Sequence, residues 1–442
     1  MRLDEALATA TAYGQPTSFE NFRGNIDPVW IEECLCATGY ASLRRRRLPA
    51  EQVIWLVLGM ALFRRHSIEY LTTHLDIALP SSRKPPVRSA VANARQRLGD
   101  EPLEYLFNIS AAEWATRSAD AHRWRGLSLY GVDGTTLRVP DSPANREEFG
   151  SSSGARGESG YPLVRAVVLM VLRSHLLAAA RFGPYRTSEL ALARQLWAEV
   201  PDDSLTILDR GFLSAPDLLA LERGGKNRLW LSRAKKNTRY RVIETLGQND
   251  QIVEMEVSAQ ARAKNPELPR TWRVRAIHYQ RKGYPPSILL SSLVDPALPA
   301  REIVALYHER WELEIGYDEV KTHLLEREET IRSKTVTCVR QEIWAQLLAY
   351  NLVRLEIERV AGELEVEPTR ISSLHALHLI RAEWEWANLA APGAIPKLLR
   401  NLRYQIALLV IPPRRADRIF PRAVKIKMSN YARKRPPGLE AK

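Results

Sequence analysis

The chain has 442 residues, 45% of them hydrophobic, with a formal net charge of +13 and an isoelectric point near 9.7. Its length allows two or three packed domains, and its positive balance is typical of a protein that meets a polyanion. Three cysteines (Cys34, Cys36 and Cys338) exclude a disulfide framework, and the Cys34-x-Cys36 pair lacks the spacing and partners of a zinc site. The amino terminus lacks the apolar core of a signal peptide, and no apolar run reaches the length of a membrane span. We therefore expect a cytoplasmic protein with no membrane partner.

Residues 1 to about 120 are predicted to be mostly helical. Apolar helical patterns cover Pro49 to Arg65, Ser67 to Leu75 and Val87 to Leu98, and the first is predicted to be a buried core helix. Basic residues occur at Arg44 to Arg47, around the loop Pro80 to Pro86, and at Arg88, Arg95 and Arg97. Basic helices joined by a polar loop are typical of a helix-turn-helix DNA reader, with a plain helical bundle as the alternative.

From about residue 125 the pattern changes to a β-β-β-α-β order. The predicted elements are strands at Leu127 to Val132, Thr135 to Val139, Val164 to Leu172 and Leu176 to Phe182, a helix at Glu189 to Val200, and a strand that ends at Asp209. This order predicts an α/β core.

Two aspartates stand out in this region. Asp133 is followed by Gly134 between two β-like runs, which predicts a hairpin with Asp133 in its turn; a metal-ligand role is the alternative. Asp209 closes the apolar run Leu205 to Leu208, and Ser214 is predicted to cap the next helix. Asp209 is therefore either a ligand at a strand end or a loop residue.

Residues from about Arg228 to Val294 alternate in strand fashion, and no helix is predicted among them. The strands are Arg228 to Leu231, Tyr240 to Thr245, Ile252 to Val257, Trp272 to Tyr279 and Ser287 to Leu293. We interpret the stretch as an inserted all-β domain. Trp230, Trp272 and Tyr279 are either core aromatics or candidates to stack on a base.

The most informative segment follows. Tyr307, Arg310, Glu314 and Lys321 lie three, four and seven residues apart. On a continuous α-helix they would stay within an arc of about 60°, so a carboxylate, two cations and a phenol would share one face. A carboxylate that holds a divalent cation beside a phosphodiester is served by cations that grip phosphates.

The alternative is a surface helix laced with ion pairs. Glu309 and Glu312 fall on another face, where we expect a solubilising role. Asp318 falls near the face of the motif and is the principal competing carboxylate. Beyond the motif, Arg340 to Ile357 is predicted to be a long amphipathic helix, and the last thirty or so residues are a basic, proline-rich tail.

The Tyr-x2-Arg-x3-Glu-x6-Lys spacing resembles the signature of bacterial DDE transposases of the insertion-sequence-four family. Other segments resemble further family landmarks. They are the runs around Asp133, Asp209 and Ser232 to Lys235, the segment Gly183 to Glu189, and Phe420 to Lys425. The resemblance spans nearly the whole chain.

This resemblance implies a ribonuclease-H-like core in which Asp133 and Asp209 lie on adjacent strands. It implies that Asp133, Asp209 and Glu314 bind two Mg²⁺ or Mn²⁺ ions and catalyse DNA cleavage and strand transfer. Tyr307, Arg310, Lys321 and Arg233 would contact DNA. The partners would be the transposon terminal inverted repeats, the target DNA and a second subunit, in the nucleoid of a bacterium.

The predicted domains are a DNA-end-binding domain (1–120), the first part of the core (121–234), the β insertion (235–298), the catalytic helix (299–330) and a helical carboxyl-terminal region with the basic tail (331–442). The predicted function is cut-and-paste transposition of an insertion sequence. Two alternatives stay open at this point, a domesticated nuclease that no longer inserts DNA and a site-specific DNA-binding protein with a dead core.

Overall fold

The computed structural model describes residues 26–41, 48–74, 87–154, 157–281, 285–326, 330–387 and 395–412. The predictions about Arg44 to Arg47, the loop Pro80 to Pro86 and the basic tail lie outside these ranges. No helix within the described ranges is long and apolar enough to cross a membrane.

The described part of the amino-terminal region is helical, as predicted. Its helices are α1 (Pro28–Ala37), α2 (Ala50–Leu62), α3 (Ile68–His74), α4 (Arg88–Leu98) and α5 (Glu101–Ala121). Twelve of the thirteen residues of α2 are buried, which confirms the predicted core helix. Because α2 is apolar on all of its faces, it must pack against neighbouring elements on all of them.

Those neighbours include the carboxyl-terminal helix α12 (Val336–Glu363), against which α2 and α5 pack. Arg95 of α4 is buried and donates to Gln341 Oε1 at 2.8 Å and to Ser333 Oγ at 2.9 Å. Arg95 is therefore a structural residue rather than a reader of DNA, whereas Arg97 is exposed. The described helices before β1 therefore share one hydrophobic core with α12.

The centre of the molecule is a mixed β-sheet. Its strands are β1 (Ser128–Arg138), β4 (Leu163–Val171), β5 (Leu177–Pro184), β6 (Ser204–Leu208), β7 (Arg228–Arg233), β8 (Arg241–Gly247), β9 (Asp250–Glu256), β10 (Thr271–Tyr279) and β11 (Ser287–Ser291). Their order across the sheet is β5-β4-β1-β6-β7-β11-β10-β9-β8. A separate small ribbon joins β2 (Ser153–Gly154) and β3 (Gly157–Glu158).

Four short helices accompany this sheet. They are α6 (Pro143–Phe149), α7 (Glu189–Ala193), which continues as a 3-10 helix to Glu199, α8 (Ala215–Arg223) and α9 (Ala259–Lys264). The β-β-β-α-β order is confirmed for β1, β4, β5, α7 and β6. The two strands predicted on either side of Asp133 are one strand, β1, and α6 and the small ribbon lie between β1 and β4. Strand β1 pairs antiparallel with β4 and parallel with β6, so the chain has the mixed α/β core that was expected.

The five strands predicted between residues 228 and 294 are present, with one addition. The short helix α9 interrupts them, because Ser258 caps it by accepting from Ala261 N at 3.2 Å. Strand β11 pairs with β7, so β8 to β11 extend the core sheet instead of forming a sheet of their own.

The described residues from 300 onward are mostly helical. They contain α10 (Ala300–His308), α11 (Trp311–Asp318), a π-helix (Glu319–Leu324), α12, α13 (Ser373–Ala387) and α14 (Ile395–Ala407). The long helix predicted at Arg340 to Ile357 is α12, and most of it is buried. Trp344 of α12 packs on Phe107 and Phe182, while Tyr350 contacts the π-helix.

Candidate active site

Three strands bring two of the predicted acids and one predicted cation into a single row. Val132 of β1 pairs with Leu208 of β6, and Leu208 pairs with Ser232 of β7. The next residues along these three strands are Asp133, Asp209 and Arg233. Residues at one level of a sheet project to the same face, so the parallel pairing sets these side chains beside one another.

Asp133 does not lie in a hairpin turn, and this prediction was wrong. Strand β1 runs unbroken for eleven residues, because β4 pairs with it from Tyr130 to Arg138. Asp133 stands at the point where β6 ends and β1 continues. The pairing of β1 with β4 and β6 decides the conformation of Asp133. A local Asp-Gly pattern in the sequence carries no information about this pairing.

The Asp133 carboxyl is half-buried, and burial raises its pKa to about 6. The Gly134 N–H donates to its Oδ1 at 2.8 Å, and this bond and the charge of Arg310 lower the pKa, while Asp209 and Glu189 raise it. A carboxyl with two acidic neighbours is stabilised in its charged form by a cation.

Glu189 is a further carboxylate of this site, and its role was not predicted from the sequence. It bonds Arg165 at 3.2 Å. A Cβ atom on residue 134 would lie 2.5 Å from Glu189 Cγ, so glycine at 134 is what lets Glu189 approach Asp133. The Gly134 of the Asp-Gly pair therefore serves close packing rather than a turn.

Asp209 follows β6 directly, as predicted, and Ser214 stands at the amino-terminal cap of α8. The Asp209 charge acts on Tyr307 and on Arg310, the two residues that begin the signature motif. The end of β6 and the start of α11 are therefore neighbours in space.

Glu314 lies on α11 and is joined to Arg310. Arg310 Nη2 donates to Glu314 Oε1 at 2.8 Å, and the same guanidinium is within electrostatic range of Asp133 and Asp209. Burial alone would lower the pKa of Arg310, but Glu314, Tyr307 and Asp209 raise it above its ordinary value. One cation thus faces all three predicted acids.

The signature segment is not one continuous α-helix, and this expectation needs correction. Helix α10 ends at His308, α11 begins at Trp311, and the π-helix starts at Glu319. The Leu325 N–H bonds the Val320 carbonyl five residues earlier, at 2.9 Å. Because the turn widens before Lys321, the 100° rule used for the sequence does not give the direction of that side chain.

Tyr307 is buried, with 7% of its surface exposed, and Arg233 is half-buried. The positive charges of Arg310 and Arg233 act on Tyr307, and those of Arg233, Arg281 and Arg310 act on Tyr279. Arg233 therefore lies at the site with the signature residues, and Tyr279 lies with it.

The other two stacking candidates are core residues. Trp230 and Trp272 are 0% and 6% exposed, and their rings pack together with centroids 5.4 Å apart. Trp311, next to Arg310, is 45% exposed and was not among the stacking candidates chosen from the sequence. Its place in the signature segment was the available signal.

The competing acid Asp318 is exposed and accepts a hydrogen bond from the Thr322 hydroxyl. The solubilising role expected for two glutamates was wrong. Glu309 forms a two-bond ion pair with Arg173, at 2.9 and 3.1 Å, and Glu312 bonds His175 Nε2 at 2.9 Å. Both partners come from the β4–β5 connection, which sequence periodicity does not reveal.

The donor chemistry of Asp133, Asp209 and Glu314 fits a hard divalent cation, because such ions prefer carboxylate oxygens and Asp133 is in an acidic, partly desolvated setting. Among the residues that the structure describes, however, no three His, Cys, Asp or Glu side chains are close enough to hold one ion as they stand. Glu314, the most exposed of the three acids, is engaged with Arg310.

Comparison with known proteins identifies the family of the chain. Residues 16–108 match the family model described as the insertion element 4 transposase N-terminal domain, and residues 124–352 match the transposase DDE domain. The chain is 38% identical over 433 residues to the Escherichia coli (strain K12) transposase InsG for insertion sequence element IS4, which covers 98% of each chain. It is also 38% identical over 232 residues to the putative transposase InsZ of the same organism, covering 52% of this chain and 76% of InsZ.

Among solved structures, a piggyBac transposase synaptic complex with hairpin DNA, determined by cryo-electron microscopy, aligns with a TM-score of 0.43 and 12% identity. The alignment covers 90% of this chain and 86% of that one.

Proposed function

The chain belongs to the insertion-sequence-four family of DDE transposases and is a DNA transposase, and from this premise we propose that Asp133, Asp209 and Glu314 are its catalytic carboxylates. The observation that carries the proposal is the convergence of the three acids on Arg310. Asp133 and Asp209 come from adjacent strands, and Glu314 comes from the signature segment.

The three carboxylates would hold two Mg²⁺ or Mn²⁺ ions. When bound, two such ions activate the attacking hydroxyl group and stabilise the charge that develops on the phosphorus oxygens. The chain itself contributes one acid on β1, a second acid directly after β6 and a third acid on a helix, whose side chain would release Arg310 to hold an ion.

The cations of the signature segment would hold the DNA strand. Released from Glu314, Arg310 presents a planar fork that matches a phosphate, and Lys321 supplies a point charge. Arg233 would contact the same strand from the end of β7, and the buried Tyr307 would orient Arg310. These side chains place the scissile phosphate against the carboxylates, which serves both the cleavage and the strand-transfer step.

Exposed Trp311 stands one residue from Arg310 and three from Glu314, so a base displaced from the duplex beside the cut would meet its ring. Aromatic stacking on an unpaired base tolerates any sequence and is worth about 1–3 kcal/mol. We assign the stacking role to Trp311, since Trp230 and Trp272 are enclosed in the core.

The region 1–120 would recognise the terminal inverted repeats, and β8 to β11 would form the insertion that contacts the transposon end. The exposed Arg97 of α4 is suited to a DNA contact, and the buried Arg95 is not. Because α2 packs against α12, recognition is best tested in the full chain. Arg97→Ala should weaken binding to a terminal repeat, measured by gel shift, while the protein unfolds at the same temperature.

The partners of this enzyme would be both transposon ends, the target DNA and a second copy of the chain, in the bacterial cytoplasm. Both relatives come from a bacterium, which supports this setting. The decisive experiment uses a labelled duplex with the inverted repeat that flanks the gene, a supercoiled target and Mg²⁺. Covalent joining of the labelled end to the target supports the proposal. Cleavage without joining would favour a nuclease, and binding alone would favour a dead core.

The metal site is tested separately by iron-mediated affinity cleavage. Fe²⁺ with ascorbate and peroxide should cut the polypeptide near residues 133, 209 and 314, and Glu314→Ala should remove the cuts. Cuts that persist near residue 318 in that variant would transfer the role to Asp318.

A further inference from the structure

A buried ion network lies behind the helix that carries Glu314. His175, in the connection from β4 to β5, is 1% exposed. Its Nε2 lies 2.9 Å from Glu312 Oε2, and its Nδ1 lies 3.3 Å from Glu319 Oε2. The two glutamates lie seven residues apart along the segment, on either side of Glu314 in the sequence.

The long helix α12 closes the network from the other side. Tyr350 donates to Glu319 Oε2 at 2.7 Å, and Arg354 Nη1 lies 3.5 Å from Glu319 Oε1. Arg354 Nε also donates to the Ser174 carbonyl at 2.8 Å, next to His175. The contacts therefore form a ring from the hairpin to Glu319, to α12 and back to the hairpin.

The charges of this ring balance only when the histidine is protonated. Both imidazole nitrogens face carboxylate oxygens, so both must donate, which is the imidazolium form. Burial alone would lower the pKa of His175, but Glu319 and the bonds to both glutamates raise it. Burial alone would also raise the pKa of Glu319, but Arg354, His175 and Tyr350 hold it well below its ordinary value. Two anions then face two cations.

The backbone of His175 is strained in the same place. Its φ is +63°, a left-handed conformation that residues other than glycine rarely adopt, so the surroundings hold it there. Buried ion pairs seldom add stability over apolar packing, which leaves a geometric purpose as the better account of this one.

We propose that His175, Glu312 and Glu319 form a positioning clamp that fixes helix α11 and the start of the π-helix, and thereby sets Glu314 and Lys321 against the DNA. Glu312 precedes Glu314 by two residues, about 200° around the helix, so anchoring Glu312 inward turns Glu314 toward the solvent-facing site. Glu319 is the first residue of the π-helix, where the turn widens before Lys321. π-turns occur frequently at functional sites.

The clamp inference rests on the proposed role of Glu314, and its test separates the two ideas. The variant Glu312→Gln keeps the size of the side chain and removes its charge at the partly exposed edge of the network. The matched control is Glu309→Gln, on the same segment, whose partner is Arg173 and not His175. Binding of Mn²⁺ to the full-length protein without DNA is measured by the loss of the free-ion paramagnetic resonance signal. Single-turnover cleavage is measured on a terminal-repeat duplex.

Glu312→Gln should weaken Mn²⁺ binding by about fivefold or more and raise the Mg²⁺ concentration for half-maximal cleavage by a similar factor. Binding to the terminal-repeat duplex should change by less than about twofold, and Glu309→Gln should leave all three quantities near those of the unmodified protein. The double variant His175→Gln, Glu312→Gln should bind Mn²⁺ no more weakly than the more impaired of the two single variants, because both substitutions break the His175–Glu312 contact.

Unchanged metal binding in folded Glu312→Gln would overturn the clamp, provided that Glu314→Ala abolishes Mn²⁺ binding in parallel. Should Glu314→Ala itself bind Mn²⁺ normally, the proposed catalytic role of Glu314 fails instead.

Discussion

Arg310 Nη2 lies 2.8 Å from Glu314 Oε1, which joins the cation and the carboxylate of the signature segment to each other. Charge-assisted hydrogen bonds of this kind are roughly twice as strong as neutral ones. Arg310 and Glu314 therefore stabilise each other. If Glu314 binds a metal ion and Arg310 binds a phosphate, as proposed, this contact must break, and the binding of metal would be coupled to the binding of DNA at one pair of residues.

The three proposed carboxylates are tested first by removal. Asp133→Ala, Asp209→Ala and Glu314→Ala should each abolish cleavage of a terminal-repeat duplex, because each would remove a proposed metal ligand. Their affinity for that duplex should persist, since phosphate contacts elsewhere supply most of it. The matched control is Asp318→Ala, which removes an exposed acid of the same segment and should keep cleavage activity. An inactive Asp318→Ala beside an active Glu314→Ala would reverse the assignment.

The raised pKa of Asp133 predicts the pH dependence of metal binding. A carboxyl with a pKa of about 6 must lose its proton before it binds Mg²⁺ or Mn²⁺. Apparent Mn²⁺ affinity should therefore rise by up to about tenfold per pH unit below pH 6 and level off above it. Mn²⁺ titrations between pH 5 and 8 would check this. Affinity that is flat from pH 5 upward would show that Asp133 is ionised throughout that range.

The same group predicts the stability of the metal-free protein. Its folded pKa, about 6, lies above its ordinary value of 3.8, so the fold favours the protonated form. Its contribution to stability is present below pH 3.8 and is lost as the pH rises toward 6, at a cost of up to about 3 kcal/mol. The free energy of unfolding, measured by urea titration, should show this loss between pH 3.8 and 6 in the unmodified metal-free protein but not in Asp133→Asn.

The local parts of this structure were predictable, and the parts set by distant contacts were not. Asp209 could be placed because an apolar run ends at it and Ser214 begins a helix. Asp133 was misplaced in a turn because its conformation is set by β4, whose Val168 pairs with it. Glu312 was expected at the surface because its partner His175 is 137 residues earlier in the chain. The periodicity argument also assumes a constant number of residues per helical turn. It therefore could not predict the break after His308 or the wider turn after Asp318.

Exposed Trp311 is expected to stack on a DNA base near the cut. Trp311→Ala should slow single-turnover cleavage by about fivefold or more, a loss of about 1 kcal/mol, while Trp311→Phe should keep most of the rate because a ring remains. The control is Tyr404→Ala, an aromatic of α14 that is 65% exposed. A second readout is the quenching of tryptophan fluorescence by DNA, which should be smaller in Trp311→Phe. Unaltered quenching and rate in both Trp311 variants would leave the stacking role to another residue.

Protonated His175 predicts a loss of stability at alkaline pH. Its pKa is raised in the folded protein, so its contribution is fully present below its unfolded pKa and is lost as the pH rises through the folded value. The free energy of unfolding should therefore fall between neutral and alkaline pH. In His175→Gln this fall should be smaller, because no proton is released there. Denaturant titrations at several pH values compare the two proteins, and parallel curves would mean that His175 does not titrate in this range.

Lys321 is the cation that the π-helix displaces from the regular helical path, and its role is tested by comparing rate with affinity. Lys321→Ala should slow strand cleavage and strand transfer by at least about tenfold, corresponding to about 1.4 kcal/mol of transition-state stabilisation. Binding should weaken less, because many other phosphate contacts hold the complex. The matched control is Arg301→Ala, which removes an exposed cation at the start of α10. Both reactions are measured in single turnover at saturating protein, with an uncut and a pre-cut transposon end. If Lys321→Ala matches the control on both substrates, Lys321 does not touch the reacting strand, and Arg310 alone represents the signature cations at the site.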